Sequence, residues 1–256
     1  MKLVPSVDLR DFLSGDPERK QKFVNEIGKA YEEIGFVALK GHFLDNKLVD
    51  ELYGEVKNFF DLPVETKQKY EIPGIGGQRG YVGFGKETAK GFKKGDLKEF
   101  WHFGQYLEEG SKYASVYPDN VEVTEVPRFN EVGKEAFKML EKTGVYVLRA
   151  LALHLGLDEF YFDKFVSEGN SILRPIHYPP ITEEPDNAVR AAAHGDINLI
   201  TLLMGAQGKG LQVMNHDGEW IDAIAEPDEL MINVGDMLSR HTNNKLKSTI
   251  HQVVNP

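Results

Sequence analysis

A histidine and an aspartate two residues apart, in His194-Gly195-Asp196, together with His251, are the residues of this chain best suited to hold a metal ion. Two imidazoles and one carboxylate cover one face of a divalent iron and leave the opposite positions open for substrate and O₂. In extended backbone, residues i and i+2 point to the same side, so His194 and Asp196 can grip one ion, and Gly195 between them adds no bulk. His251 follows Asp196 by 55 positions, room enough for several strands to bring it back. Thr249, His251 and Val253 share one face of a strand-like run, which places that imidazole among inward-facing neighbours. An H-x-D tripeptide alone is common by chance, so the elements around it decide its meaning.

The chain of 256 residues can bury one substantial core, and it reads as one domain or one domain with a helical annex. A net charge of −10 argues against nucleic acid or an anionic membrane as its main partner. With no cysteine, disulfides and thiolate metal sites are ruled out, and any metal must sit on nitrogen and oxygen. Residues 1–8 lack an apolar signal core and no run approaches the length of a membrane span, so a cytoplasmic protein is expected.

Asp16 and Pro17 open a predicted helix over 17–34, with Phe23, Ile27, Tyr31 and Ile34 on one face. A short strand, 36–39, and a second helix, about 45–60, follow. A long amphipathic helix is predicted over about 127–155, stopped by Gly156. From about 170 short β-rich runs alternate with turns, over 171–178, 189–194, 199–204, 210–214, 219–224, 229–234 and 248–254. Helices first and strands after indicate an α+β protein with a sandwich or barrel core. The expected organisation is a helical leader and lid over 1–120, a supporting helix over 121–168, and the core over 169–256.

Residues 74–104 combine nine glycines with interleaved aromatics and read as a flap over a binding site. Tyr81, Phe84, His102 and Phe103 are its candidate substrate contacts, and they suit a planar or hydrophobic small molecule. Lys86, Lys90, Lys93, Lys94 and Lys98 are expected to face solvent. Along 172–178, Arg174 and Tyr178 fall on one strand face, as an anion-binding pair would, with His177 on the other.

These motifs lie in an order that resembles a known family. His194-Gly195-Asp196 is followed by Leu199-Ile200-Thr201-Leu202-Leu203, Gly210-Leu211-Gln212-Val213 and Gly218-Glu219-Trp220-Ile221. Then come Asn233-Val234-Gly235-Asp236-Met237-Leu238 and Leu246-Lys247-Ser248-Thr249-Ile250-His251-Gln252-Val253-Val254-Asn255-Pro256. Together they are similar to the isopenicillin N synthase-like dioxygenases, across nearly the whole chain. The resemblance implies a double-stranded β-helix (jelly roll) holding Fe(II) through His194, Asp196 and His251. It also implies 2-oxoglutarate as cosubstrate, decarboxylated to succinate and CO₂ as O₂ hydroxylates or desaturates a small organic molecule.

Tyr178, in Ile176-His177-Tyr178-Pro179, matches the family tyrosine that reaches the cosubstrate's distal carboxylate. The family's Arg-x-Ser anchor lies beyond the Val-Asn-Pro segment at which this chain stops, so the eighth core strand is expected to be absent from it. Arg174 and Arg190 are then the candidate substitutes, since a guanidinium is the strong bidentate partner of a carboxylate. Two alternatives remain open at this stage: an oxidase of the same fold that needs no 2-oxoglutarate, and a degenerate metal-binding jelly roll.

Overall fold

In the computed structural model, which describes residues 4–86, 98–180, 190–205 and 210–254, Asp16 caps the first long helix by accepting the backbone N–H groups of Glu18 and Arg19. This helix, α2 (Pro17–Glu33), follows a short strand, β1 (Ser6–Asp8), and one helical turn, α1 (Leu9–Phe12). It buries Phe23, Val24, Ile27 and Tyr31 and ends at Gly35, whose φ of +74° turns the chain into β2 (Phe36–Lys40). A Cβ at Gly35 would stand 2.2 Å from the carbonyl oxygen of Lys247, so the close approach, as well as the dihedral, demands glycine.

Next come α3 (Asn46–Phe60), capped by Asp45, and α4 (Val64–Gln68). The middle of the chain holds β3 (Gly80–Val82), β4 (Glu99–Gly104), the long helix α5 (Phe129–His154) and α6 (Asp163–Val166). Two very short strands, β5 (Ile172–Leu173) and β6 (Ile176–His177), follow. The last third is β-rich: β7 (Ala191–His194), β8 (Ile200–Leu203), β9 (Leu211–Met214), β10 (Trp220–Asp222), β11 (Leu230–Val234), the helix α7 (Asp236–His241) and β12 (His251–Val253).

Contacts cut across chain order and define two units. The first comprises residues 1–43, 142–164 and 191–256. It contains two four-stranded sheets, β1-β2-β11-β8 and β10-β9-β12-β7. The N-terminal segment joins the C-terminal strands because β2 pairs antiparallel with β11, from Phe36 opposite Asn233 to Leu39 opposite Leu230. Phe36, Ala38 and Met231 from one sheet share a buried cluster with Leu211 and Val213 from the other. This is the jelly-roll core of an α+β protein. Each of its larger apolar side chains contributes roughly 1.5–3 kcal/mol by leaving water.

The second unit comprises residues 44–141 and 165–190. Its sheet runs β3-β4-β5, with β6 also on β4. Phe59, Phe60, Tyr81, Trp101, Phe103 and Phe129 pack into one aromatic core, with Phe59 and Phe129 stacked at 4.9 Å.

The structure corrects three sequence expectations here. The flap predicted over 74–104 contains an antiparallel strand pair, with Gly80, Tyr81 and Val82 opposite His102, Trp101 and Phe100. All six residues of β4 are buried, so no alternation of apolar and polar residues marks it as a strand. Lys98, expected at the surface, is 7% exposed. Lys90, Gly91, Phe92, Lys93, Lys94 and Gly95 lie outside the described residues.

The single strand expected over 171–178 is instead β5 and β6, broken at Pro175. Proline brings no N–H to a ladder, and its carbonyl accepts the Trp101 N–H at 3.0 Å. Both pieces pair with β4 in the second unit and not with the jelly-roll strands.

Candidate metal centre

Strand pairing brings the first and third predicted ligands together. His251, at the start of β12, stands directly opposite His194, at the end of β7, with ring centroids 4.5 Å apart. Asp196 lies just past the end of β7, its backbone carbonyl accepting the Asp236 N–H at 2.8 Å. One ligand atom from each of His194, Asp196 and His251 lies within 4.8 Å of the others, close enough for one ion to touch all three.

Hydrogen bonds fix which atoms face that point. His194 donates from Nδ1 to the carbonyl of Ala192 at 2.7 Å, and His251 from Nδ1 to the carbonyl of Thr249 at 3.1 Å. A carbonyl only accepts, so each Nδ1 carries the proton and each Nε2 keeps a free lone pair. Both Nε2 atoms lie 3.9 Å from Asp196 Oδ1. The other carboxylate oxygen, Oδ2, accepts from Thr201 Oγ1 at 2.5 Å and Asn233 Nδ2 at 2.8 Å. Three donor atoms are thus turned inward by partners held behind them, the arrangement that orients metal ligands generally.

Burial acts differently on the two kinds of group. It pushes the Asp196 carboxyl up, but the bonds from Asn233 and Thr201 and the nearby imidazoles outweigh it and hold that carboxyl below its usual range. Burial pulls the His251 imidazole down, which favours the neutral form that a metal needs. His251 is 8% exposed, with the ring of Phe36 against it edge-on at 5.5 Å, whereas the His194 side chain is 44% exposed.

Gly195 carries less weight than its sequence position implied. A Cβ there would meet its nearest neighbour, Ile250 Cδ1, at an ordinary 3.5 Å. The supporting residues Thr201, Asn233 and Thr249 were not singled out from sequence as part of the site. Asn233 left a signal: it is the one amide in the apolar strand Leu230-Met231-Ile232-Asn233-Val234, and a buried polar side chain needs a partner.

Other predicted site residues sit in the second unit. Tyr81, His102 and Phe103 are 3%, 5% and 1% exposed and belong to β3 and β4, while Phe84 is 51% exposed. Tyr81 donates its hydroxyl to Glu99, and His102 Nδ1 bonds the Gly77 carbonyl at 2.6 Å. Arg174 does not form the predicted strand-face pair with Tyr178, because Pro175 breaks the strand between them. Its Nε donates to His102 Nε2 at 2.6 Å, and its guanidinium lies 4.5 Å from the Phe100 ring. Arg190 lies over the ring of Tyr178 at 5.3 Å, and its buried Nε has no hydrogen-bond partner among the described residues.

A jelly roll that turns two imidazoles and a carboxylate toward one point, with free ring nitrogens and an ionised acid, defines the class of non-haem iron oxygenases. Comparison with known proteins narrows this. Residues 4–125 match the family model for the N-terminal region of a non-haem dioxygenase in morphine synthesis, and residues 169–256 match that of the 2OG-Fe(II) oxygenase superfamily.

The 2-oxoglutarate-dependent dioxygenase frbA of Dothideomycetidae sp. (strain 11243) is 33% identical over 99% of this chain and 79% of its own length. A crystal structure of a 2OG-Fe(II) oxygenase family protein from Caulobacter crescentus is 42% identical, with a TM-score of 0.90 over all of this chain and 81% of that one. A full-length protein from Neurospora crassa, crystallised in complex with alpha-KG and thymine, is 30% identical, with a TM-score of 0.86 over 99% of this chain and 80% of that one.

This chain belongs to the 2OG-Fe(II) oxygenase superfamily. It is an enzyme that uses Fe(II), 2-oxoglutarate and O₂ to oxidise a small organic molecule. Among the described residues no helix is long and apolar enough to cross a membrane.

Proposed function

We propose that His194, Asp196 and His251 are the iron ligands and that the reaction is hydroxylation or desaturation of a small organic molecule. The observation that carries the assignment is the convergence of two free Nε2 atoms on one free carboxylate oxygen, each at 3.9 Å. When bound, Fe(II) would let O₂, the oxidant, take two electrons from 2-oxoglutarate, which leaves as succinate and CO₂, and two from the substrate. The protein's own contribution is to hold the three donor atoms on one side and keep the opposite side open. Thr201 and Asn233 hold Asp196 ionised and correctly turned, and the carbonyls of Ala192 and Thr249 set the two imidazole tautomers.

Tyr178 is the proposed partner of the cosubstrate's distal carboxylate, supported by its place in the Ile-His-Tyr-Pro segment and by the Arg190 guanidinium against its ring. The dependence on 2-oxoglutarate, a central metabolite, supports action in the cytoplasm. Thymine and 5-formyluracil head the substrate panel because both are bound in the similar Neurospora crassa structures.

The test is succinate formation from 2-oxoglutarate with Fe(II), coupled to loss of a panel substrate. Tyr178→Phe is expected to raise the KM for 2-oxoglutarate by about 10–100-fold, the cost of one hydrogen bond to a charged group, with a smaller effect on kcat. An unchanged KM refutes the role of Tyr178. Iron content unchanged by loss of His194 or His251 refutes the ligand assignment.

A further inference from the structure

His251 opens a strand of only three residues, and residues 242–250 before it contain no strand. The position of that imidazole is therefore set by whatever fastens this lead-in. Two of the hydrogen bonds that do so are donated to carbonyls at the C-terminal end of α2. Lys247 donates its N–H to the carbonyl of Tyr31 at 2.8 Å, and Thr249 donates its hydroxyl to the carbonyl of Ile34 at 2.7 Å. Carbonyls at the end of a helix lack intrahelical partners and need such donors.

Gly35 makes the docking close. A Cβ there would meet Thr249 Oγ1 at 2.7 Å as well as the Lys247 carbonyl. From the other side, the carbonyl of Ile250 accepts the Met214 N–H at 2.9 Å, which ties the lead-in to β9. Thr249 alone joins both tasks: its hydroxyl anchors the chain to the helix, and its carbonyl accepts the Nδ1 proton of His251.

We infer that Thr249 is a positioning residue for His251, acting through the bond between its hydroxyl and the end of α2. The inference rests on the reading of His251 as an iron ligand. A held Thr249 fixes both the backbone that carries the ligand and the carbonyl that aims its ring, so Nε2 is kept toward Asp196 before any metal arrives. Without the hydroxyl, the carbonyl that aims the ring drifts with its peptide. A cavity of about 240 Å³, lined by Ile34, Met214, Asn215 and Thr249 among others, adjoins the anchor. Its lining includes Glu33, Asn215 and His216, polar partners for a water that can satisfy the Ile34 carbonyl when the hydroxyl is removed. The fold is thereby spared while the tether is lost.

The test uses the full chain, with Co(II) as the probe, its visible absorption reporting both affinity and coordination. Thr249→Val keeps nearly the same shape and removes only the donor. It is expected to weaken Co(II) binding by at least about 10-fold and to change the visible spectrum, as loss of a ligand's supporting contact does. The metal-free Tm should fall by no more than about 3 °C. Thr249→Ser retains the hydroxyl and should restore affinity and spectrum. Wild-type Co(II) binding by Thr249→Val overturns the inference, as does a Ser variant as weak as the Val variant. A large fall in metal-free Tm that tracks the loss of affinity also overturns it, since the role is then only structural. His251→Ala separates the two readings: if it binds Co(II) as tightly as wild type, the ligand assignment falls and the inference with it. If it binds weakly while Thr249→Val does not, only the inference fails.

Discussion

Asp196→Asn is expected to lose iron and succinate formation together, as completely as Asp196→Ala, despite being nearly the same shape as the native residue. Thr201 Oγ1 and Asn233 Nδ2 both donate to the carboxylate oxygen that faces away from the histidines. In the asparagine variant only the amide oxygen can accept those two bonds, so the amide NH₂ is turned toward the two Nε2 atoms. That group has protons where a ligand needs a lone pair, and the negative charge that balances the ion is gone.

The expected loss in metal affinity and in kcat/KM exceeds about 100-fold, the upper end of what losing a supporting contact costs. Metal content after gel filtration and succinate release under saturating Fe(II) measure the two effects. An Asp196→Asn protein that keeps stoichiometric iron rules out Asp196 as a ligand.

The second large effect lies in the second unit. Glu99, on β4, is 6% exposed and accepts from Lys67 Nζ at 2.9 and 2.8 Å, from Tyr81 and, at 2.8 Å, from His177 Nδ1. Lys67 is 4% exposed and, among the described residues, has the Phe60 carbonyl, at 2.9 Å, as its one other hydrogen-bond partner. Glu99→Ala leaves that ammonium buried without its counter-charge and should cost about 3–5 kcal/mol. Adding Lys67→Met should recover part of the loss, because removing the lone cation is cheaper than keeping it buried. Urea unfolding of the two variants decides this, and no recovery in the double variant means the cost is packing and not charge.

The same group sets an acid limit. Burial pushes the Glu99 carboxyl up, but the bonds from Lys67, Tyr81 and His177 outweigh it, and it titrates below its ordinary value of 4.5. A carboxyl lowered by folding adds stability that is present above the unfolded value and is lost as pH falls through the folded one. Wild-type stability should therefore drop steeply below about pH 4.5, and the acid limb of Glu99→Ala should be shallower. Equal slopes in the two proteins refute the contribution of Glu99.

How much of this was written in the sequence differs between the two units. The proposed metal triad was legible because its information is local. Parity puts His194 and Asp196 on one side, and the ordered motifs from Leu199 to Val254 resemble one family closely. The amphipathic helices were legible for the same reason, since a stripe at helical spacing needs no knowledge of the partner it packs against. Sequence therefore determined the fold class and, through the family resemblance, the cosubstrate chemistry, and it named the proposed donor set.

Tertiary structure decided what depends on distant pairing. Strand β4 is buried on both faces, so His102 and Phe103 carried no alternation to separate a core strand from a flap, and Tyr81 is buried on β3 beside it. Pro175 ended one strand and began another, which a parity argument across Arg174 and Tyr178 could not foresee. The partners that aim the ligands, Thr201, Asn233 and the carbonyl of Thr249, became visible only when β8, β11 and the end of α2 were folded against them. Ligand identity is a property of residue type and spacing; ligand orientation comes from hydrogen bonds between segments up to 215 residues apart, and only the folded chain contains those.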